Sequence, residues 1–157
     1  MATAAGEGHR IVVGVDGSPA SQQALGWAIR QAELSGAAVE AVIAWHNPLV
    51  VGGMPVGPVA VLQESDFGKF AATTLSETIS DIAGANAPVS VTPIVREGNA
   101  AQVLIDAADG ADLLVLGSRG YGGFVEALLG SVSQHCVHHA RCPVVIIRGE
   151  QQPGAAG

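Results

Sequence analysis

Five short apolar runs rich in β-branched residues, at positions 11–15, 39–45, 89–95, 113–116 and 144–147, are separated along the 157-residue chain by longer amphipathic stretches. Strand patterns that alternate with helical ones in this way predict a parallel sheet whose strands are joined through helices. A length of one ordinary domain and 48% hydrophobic residues supply enough apolar mass for a single core. The expected organisation is one domain over residues 9–148, with small-residue tails at 1–8 and 149–157 that have little to bury.

Helix boundaries are marked by specific chemistry. Ser18-Pro19 pairs a capping residue with a proline at the first helical position, Leu25, Ala28, Ile29 and Ala32 share one face, and Gly36 provides the stop. A second helix is predicted over 63–83, with Phe67, Phe70, Ala71, Thr78 and Ile82 inward and Gly84 closing it. A third spans 100–109, capped by Asn99 with Gln102 three positions on and ended by Gly110. The fourth begins at Ser131, where Ser131 and Gln134 repeat the capping-box spacing, and ends before Pro143.

Two strands carry positional information. Pro93 cannot donate to a ladder, which predicts an edge position for the third strand. The fifth, Val144-Val-Ile-Ile147, has no charge to guard it, and an unprotected apolar edge is covered in natural proteins by a partner. A homodimer through the strand Val144–Ile147 is therefore expected. The proline- and glycine-rich stretch 46–62 reads either as a functional loop, over a bound base or a neighbouring subunit, or as a tolerated insertion.

Seven basic against fourteen acidic residues give a net charge of −7, with only six aromatics, which argues against nucleic acid as a partner. No run of about 18 apolar residues appears and no leader-like segment opens the chain, so a cytoplasmic location without membrane contact is expected. Cys136 and Cys142 are too few for a disulfide framework. His135, Cys136, His138, His139 and Cys142 crowd together in sequence, but helical spacing turns His138 and Cys136 away from the face shared by His135 and His139, so no metal site is expected there.

The chemistry concentrates after the fourth strand. Gly117-Ser-Arg119-Gly120, nine further residues and Gly130-Ser131-Val132-Ser133 follow the run 113–116, an order of strand, glycine loop and helix start. Glycines permit positive φ and close backbone approach, and a helix N-terminus offers unpaired N–H groups to an anion, so the segment is built like a phosphate cradle. An ordinary glycine-rich turn with a helix cap is the alternative. Asp16, after the first strand, either accepts hydrogen bonds from a ribose or base, or holds a water on a divalent ion, or caps the first helix. If phosphate packs on Gly117, Gly117→Ala should reduce nucleotide retention and leave the fold intact.

The spacing Gly117-x2-Gly120-x9-Gly130-Ser131 resembles the ATP-binding signature G-x2-G-x9-G-[ST] of the universal stress proteins. Val13-Gly14-Val15-Asp16-Gly17-Ser18 and Cys142-Pro143-Val144-Val145-Ile146-Ile147 extend the resemblance over residues 10–148. It implies a Rossmann-like α/β domain of the adenine nucleotide alpha-hydrolase type: a five-stranded parallel sheet in the order 3-2-1-4-5, helices on both faces, dimeric through the last strand, with ATP across strands one and four. By position, Gly14, Val15 and Asp16 would contact the adenosine and Ala44 the adenine. Leu116 and Gly117 would border the nucleoside, while Arg119, Gly120, Gly130, Ser131, Val132 and Ser133 would line the phosphates. Every glycine of the signature is present, which places the chain on the ATP-binding side of the family; the stretch 46–62 departs from its pattern. There is no Walker lysine and no evident residue to position water, so the resemblance implies a nucleotide-dependent regulatory module acting on a protein partner, with hydrolysis slow or absent. Mg²⁺ could accompany ATP, ligated mostly by the triphosphate. A slow ATPase and a nucleotide-free structural dimer are the alternatives.

Overall fold

The computed structural model describes residues 8–46, 50–51, 54–55, 64–118 and 129–149. Its elements run β1 (Arg10–Gly14), α1 (Pro19–Ser35), β2 (Ala38–Trp45), β3 (Val50–Val51), β4 (Met54–Pro55), α2 (Glu64–Ala83), β5 (Val91–Glu97), α3 (Ala100–Ala107), β6 (Leu113–Gly117), α4 (Ser131–His139) and β7 (Val144–Ile147). The five longer strands form one parallel sheet in the order β5-β2-β1-β6-β7, the expected 3-2-1-4-5. β3 and β4 make a short antiparallel pair inside the stretch that sequence left as a loop.

The pleat sends alternate residues of β1 to opposite faces. Ile11 and Val13 join Val39, Ala41, Ile43 and Val115 beneath Leu25, Ala28, Ile29 and Ala32 of α1 and Leu75 of α2. Val12 joins Val42, Leu114 and Leu116 against Ala101, Val103 and Leu104 of α3 and Cys136 of α4. Covering both faces explains the near-continuous apolar runs of the central strands, broken in β2 only by Glu40.

Local signals account for most boundaries. Ser18 sits in extended backbone and its Oγ accepts from Ser21 N at 3.3 Å, while Gly36 ends α1 in the left-handed region at φ 76°. The Asn99 side chain accepts from Gln102 N at 3.1 Å, but Gln102 reaches forward to Asp106 rather than back, so only half of the box forms. The helix gives way to a turn after Ala107, slightly before the predicted end. In α2 the inward stripe is Ala71, Leu75 and Thr78; Phe70 is 76% exposed and Ile82 also reaches solvent, contrary to the aromatic-based expectation. Spacings of four and three residues carry the stripe, and Phe70 lies one position off it. β5 with Pro93 lies at one edge as expected, and β7, half-buried along its length, lies at the other.

At the amino end of the sheet, the Arg10 guanidinium donates to Glu40 Oε1 at 2.7 Å and to the Ala107 and Asp109 carbonyls at 2.8 and 2.7 Å, capping the end of α3. Asp112 accepts from Arg10 N at 2.7 Å and lies 3.3 Å from His9 Nδ1. The Arg10 N–H foremost, against a partial desolvation and helped by His9, holds the Asp112 carboxyl below its usual value. A depressed carboxyl contributes stability above its unfolded-state pKa and loses it as pH falls through the folded one. Asp112→Asn should therefore flatten the loss of stability that the wild type shows on acidification, read as denaturant midpoints across about pH 5 to 1. For the core, Leu75→Ala should cost about 2–5 kcal/mol in urea unfolding, whereas Phe70→Ala should stay within about 0.5 kcal/mol.

Candidate functional site

β1 leads through α1 to β2 on one side of the sheet, and its other neighbour, β6, leads outward to β7. Neighbouring strands whose connections part in this way leave a crevice beyond their carboxyl ends, where ligands of open α/β sheets bind.

On the β1 side, Val15 buries its side chain and donates its N–H to Val42 O at 2.8 Å, so it offers the crevice only main chain. Asp16 is exposed; its Oδ1 accepts from Ser18 N at 2.9 Å. Its own N–H donates to Ser21 Oγ at 3.3 Å, and that hydroxyl donates to Ser18 O at 3.0 Å. Gly17 between them takes φ 82°, a conformation that strongly favours glycine. Ser18 is the helix cap, so of the roles open to Asp16, the capping one belongs to its neighbour. Asp16 closes a local turn that fixes its carboxylate at the crevice mouth.

On the β6 side, Leu116 packs into the core and Gly117 is held by close approach rather than by φ. A Cβ on Gly117 would lie 2.8 Å from the Ala20 carbonyl carbon and 2.8 Å from its Cβ. Gly130 likewise has an ordinary φ of −71°, so positive φ, expected from sequence, is used at neither glycine. Gly14 is also a packing position, because a Cβ there would stand 2.8 Å from Leu116 Cδ2 and 3.0 Å from Leu104 Cδ1. Ser118 N donates to Ile147 O at 2.9 Å and Gly130 N to Ser118 O at 2.7 Å, so the chain leaves the sheet and returns to it at one point. Arg119 and Gly120 lie outside the described residues.

The expected capping box at Ser131 does not form. Gly130 is the cap residue, without a side chain to supply a bond, and Ser131 is already helical and exposed. Ser133 is buried, and its hydroxyl donates to Gly117 O at 2.8 Å, fastening α4 to β6. Val132 packs into the second core cluster. The first N–H groups of a helix have no partner within it, and the α4 cap residue, Gly130, supplies no side-chain bond to them. α1, in contrast, is closed by Ser18. Ala44, half-buried at the end of β2, stands on the strand beside β1. The described candidates thus converge on one end of the sheet, though Leu116, Val132 and Ser133 turn their side chains inward. Ser21 and Ser118, which sequence reasoning passed over, organise the two loops; the signals were the second serine of Ser18-Pro-Ala-Ser21 and the one beside Gly117.

Cys136 is fully buried near Ala101 O, and burial pushes its thiol up to about 11; burial also raises Cys142, and both are free. Trp45 rests on Gly68 of α2, where a Cβ would come within 3.2 Å of the indole.

A five-stranded parallel sheet in this order, with helices on both faces, defines a doubly wound, Rossmann-like α/β domain. The family model described as the universal stress protein family matches residues 8–148, and the chain belongs to that family. A universal stress protein of Mycolicibacterium smegmatis is 36% identical over 149 residues, covering 92% of this chain and 49% of the relative. The chain spans about half the length of the curated relatives it matches. Among solved structures, a universal stress protein in complex with cAMP superposes with a TM-score of 0.64 at 25% identity, covering 90% of this chain and 98% of the other. That of Archaeoglobus fulgidus in complex with dAMP gives 0.61 at 26%, with 88% and 97% covered. Among the described residues no helix is long and apolar enough to cross a membrane.

The Gly117 geometry corrects the expectation that Gly117→Ala spares the fold. Its methyl group meets the α1 backbone, so the variant should lose about 1–3 kcal/mol in urea unfolding even without nucleotide.

Proposed function

We propose that the chain is an adenine-nucleotide-binding regulatory module of the stress response, with ATP as its nucleotide. The N-terminus of α4, with no cap side chain, at the β1–β6 crevice is the observation that carries this proposal: its N–H groups suit phosphate, and the exposed Asp16 just beyond β1 is available to accept from ribose or base. The cAMP and dAMP complexes of similar proteins support an adenine nucleotide. The complete glycine signature, with Arg119 supplying positive charge, supports a triphosphate over a monophosphate.

In this proposal Gly14, Val15 and Asp16 face the adenosine, Ala44 the adenine, and the Leu116 and Gly117 main chain the nucleoside. Arg119, Gly120, Gly130, Ser131 and the Val132 and Ser133 main chain hold the phosphates. Mg²⁺ would be ligated chiefly by the triphosphate, leaving the protein to bind and orient. A second copy would cover the half-exposed apolar edge β7, and the nucleotide state would be read by a protein partner in the cytoplasm.

Ser131→Glu tests the placement without touching the core, because Ser131 is exposed in the first turn of α4. A carboxylate there suits the helix dipole but repels phosphate. Wild type denatured after purification should release ATP, identified by chromatography and mass. The variant should unfold at or above the wild-type temperature and bind ATP at least about tenfold more weakly. Wild-type affinity in a folded Ser131→Glu would place the phosphates elsewhere. Asp16→Asn keeps an acceptor for Ser18 N, so weaker binding at unchanged stability would assign the carboxylate to the ligand.

A further inference from the structure

α4 carries a second constellation at its opposite end. His135 and His139 are one helical turn apart, both exposed, with ring centroids 4.5 Å apart and planes tilted by 37°. His138 meets His139 only edge-on at 6.5 Å, and Cys136 is buried on the inner face. Among the described residues no group of three or more histidine, cysteine or acidic side chains gathers around a common point, so the pair offers two nitrogen donors and no third protein ligand.

We propose that His135 and His139 form a bidentate site for a borderline divalent transition-metal ion of the Zn²⁺, Ni²⁺ and Cu²⁺ class. Histidines at positions i and i+4 of a helix share a face and can hold one ion between them. Each metal–nitrogen bond is about 2.0–2.1 Å long, so the two nitrogens need to stand about 3 Å apart. Rotation about the terminal side-chain torsion, which is broad for histidine, brings rings at this spacing to that separation without moving the backbone. Imidazole selects this class over Mg²⁺ or Ca²⁺, which demand oxygen. The remaining coordination positions face solvent and take water. The site closes the last turn of α4, where a cation also complements the helix dipole. An ion that binds the folded helix and not the unfolded chain stabilises the fold by mass action. The helix whose first turn meets the phosphate in the proposed function is therefore clipped at its last turn by metal, but the metal site stands on His135 and His139 alone and does not depend on nucleotide.

The test is calorimetric titration of the chelator-treated full chain with ZnCl₂ and NiCl₂, alongside thermal unfolding with and without each ion. One ion per chain with micromolar affinity and a raised unfolding temperature is expected. His135→Gln and His139→Gln should each weaken binding on the order of tenfold or more and abolish the thermal shift. His138→Gln should match the wild type, and all three, being exposed, should fold. Absence of binding by the wild type would overturn the proposal. Binding indifferent to His135→Gln and His139→Gln would overturn it too, and would assign the ion to thiols or to phosphates of a retained nucleotide. Loss of ATP binding in Ser131→Glu with zinc binding intact would show that the two ends of α4 act separately.

Discussion

The contact between Gly117 and the first turn of α1 sets the geometry on which the candidate site depends. Because Gly117 has no side chain, the Ala20 backbone settles directly on the end of β6, leaving no room for a methyl group. That approach fixes where α1 starts, and hence where Ser18 and Ser21 hold the turn that carries Asp16. The Gly117 carbonyl also receives the Ser133 hydroxyl, so one residue aligns the starts of two helices on opposite faces of the sheet. Ser118 then links β7 behind it to Gly130 ahead of it.

This arrangement makes the α4 end of the crevice a product of main-chain geometry. Gly130 provides extended backbone and no cap, so α4 begins open, whereas Ser18 closes α1 with its own hydroxyl. Of the two helices that flank the crevice, α1 is closed by its cap side chain and α4 is not. The difference lies in a single cap position, glycine in one case and serine in the other, and it decides which helix dipole is available to an anion.

The fold was largely legible in the sequence because its signals are local or periodic. Ser18-Pro19, Gly36 and Asn99 act within a few residues of themselves, and Pro93 marked the edge strand for a reason confined to its own missing N–H. Errors arose where hydrophobicity or spacing was read without tertiary placement. Phe70 is more apolar than Ala71, but the helix face is set by Ala71, Leu75 and Thr78 fitting beneath it, and Phe70 falls outside. Ser131 and Gln134 have the spacing of a capping box, one position too late for the helix that forms. At the site, the positions of the glycines were readable but their reasons were not: Gly14 and Gly117 answer to Leu104, Leu116 and Ala20, which are distant in sequence or on another element.

The two edges of the sheet differ in a way that bears on how large an assembly can grow. β5 is interrupted by Pro93 and ends in Arg96 and Glu97, with charges and proline being the usual protections of an outer strand, while β7 is short and wholly apolar. Strand addition through β7, as proposed, would use up the apolar edge of each copy. The enlarged sheet would then end on both sides in a β5 strand, so that growth would stop at a closed pair and not continue as a fibre.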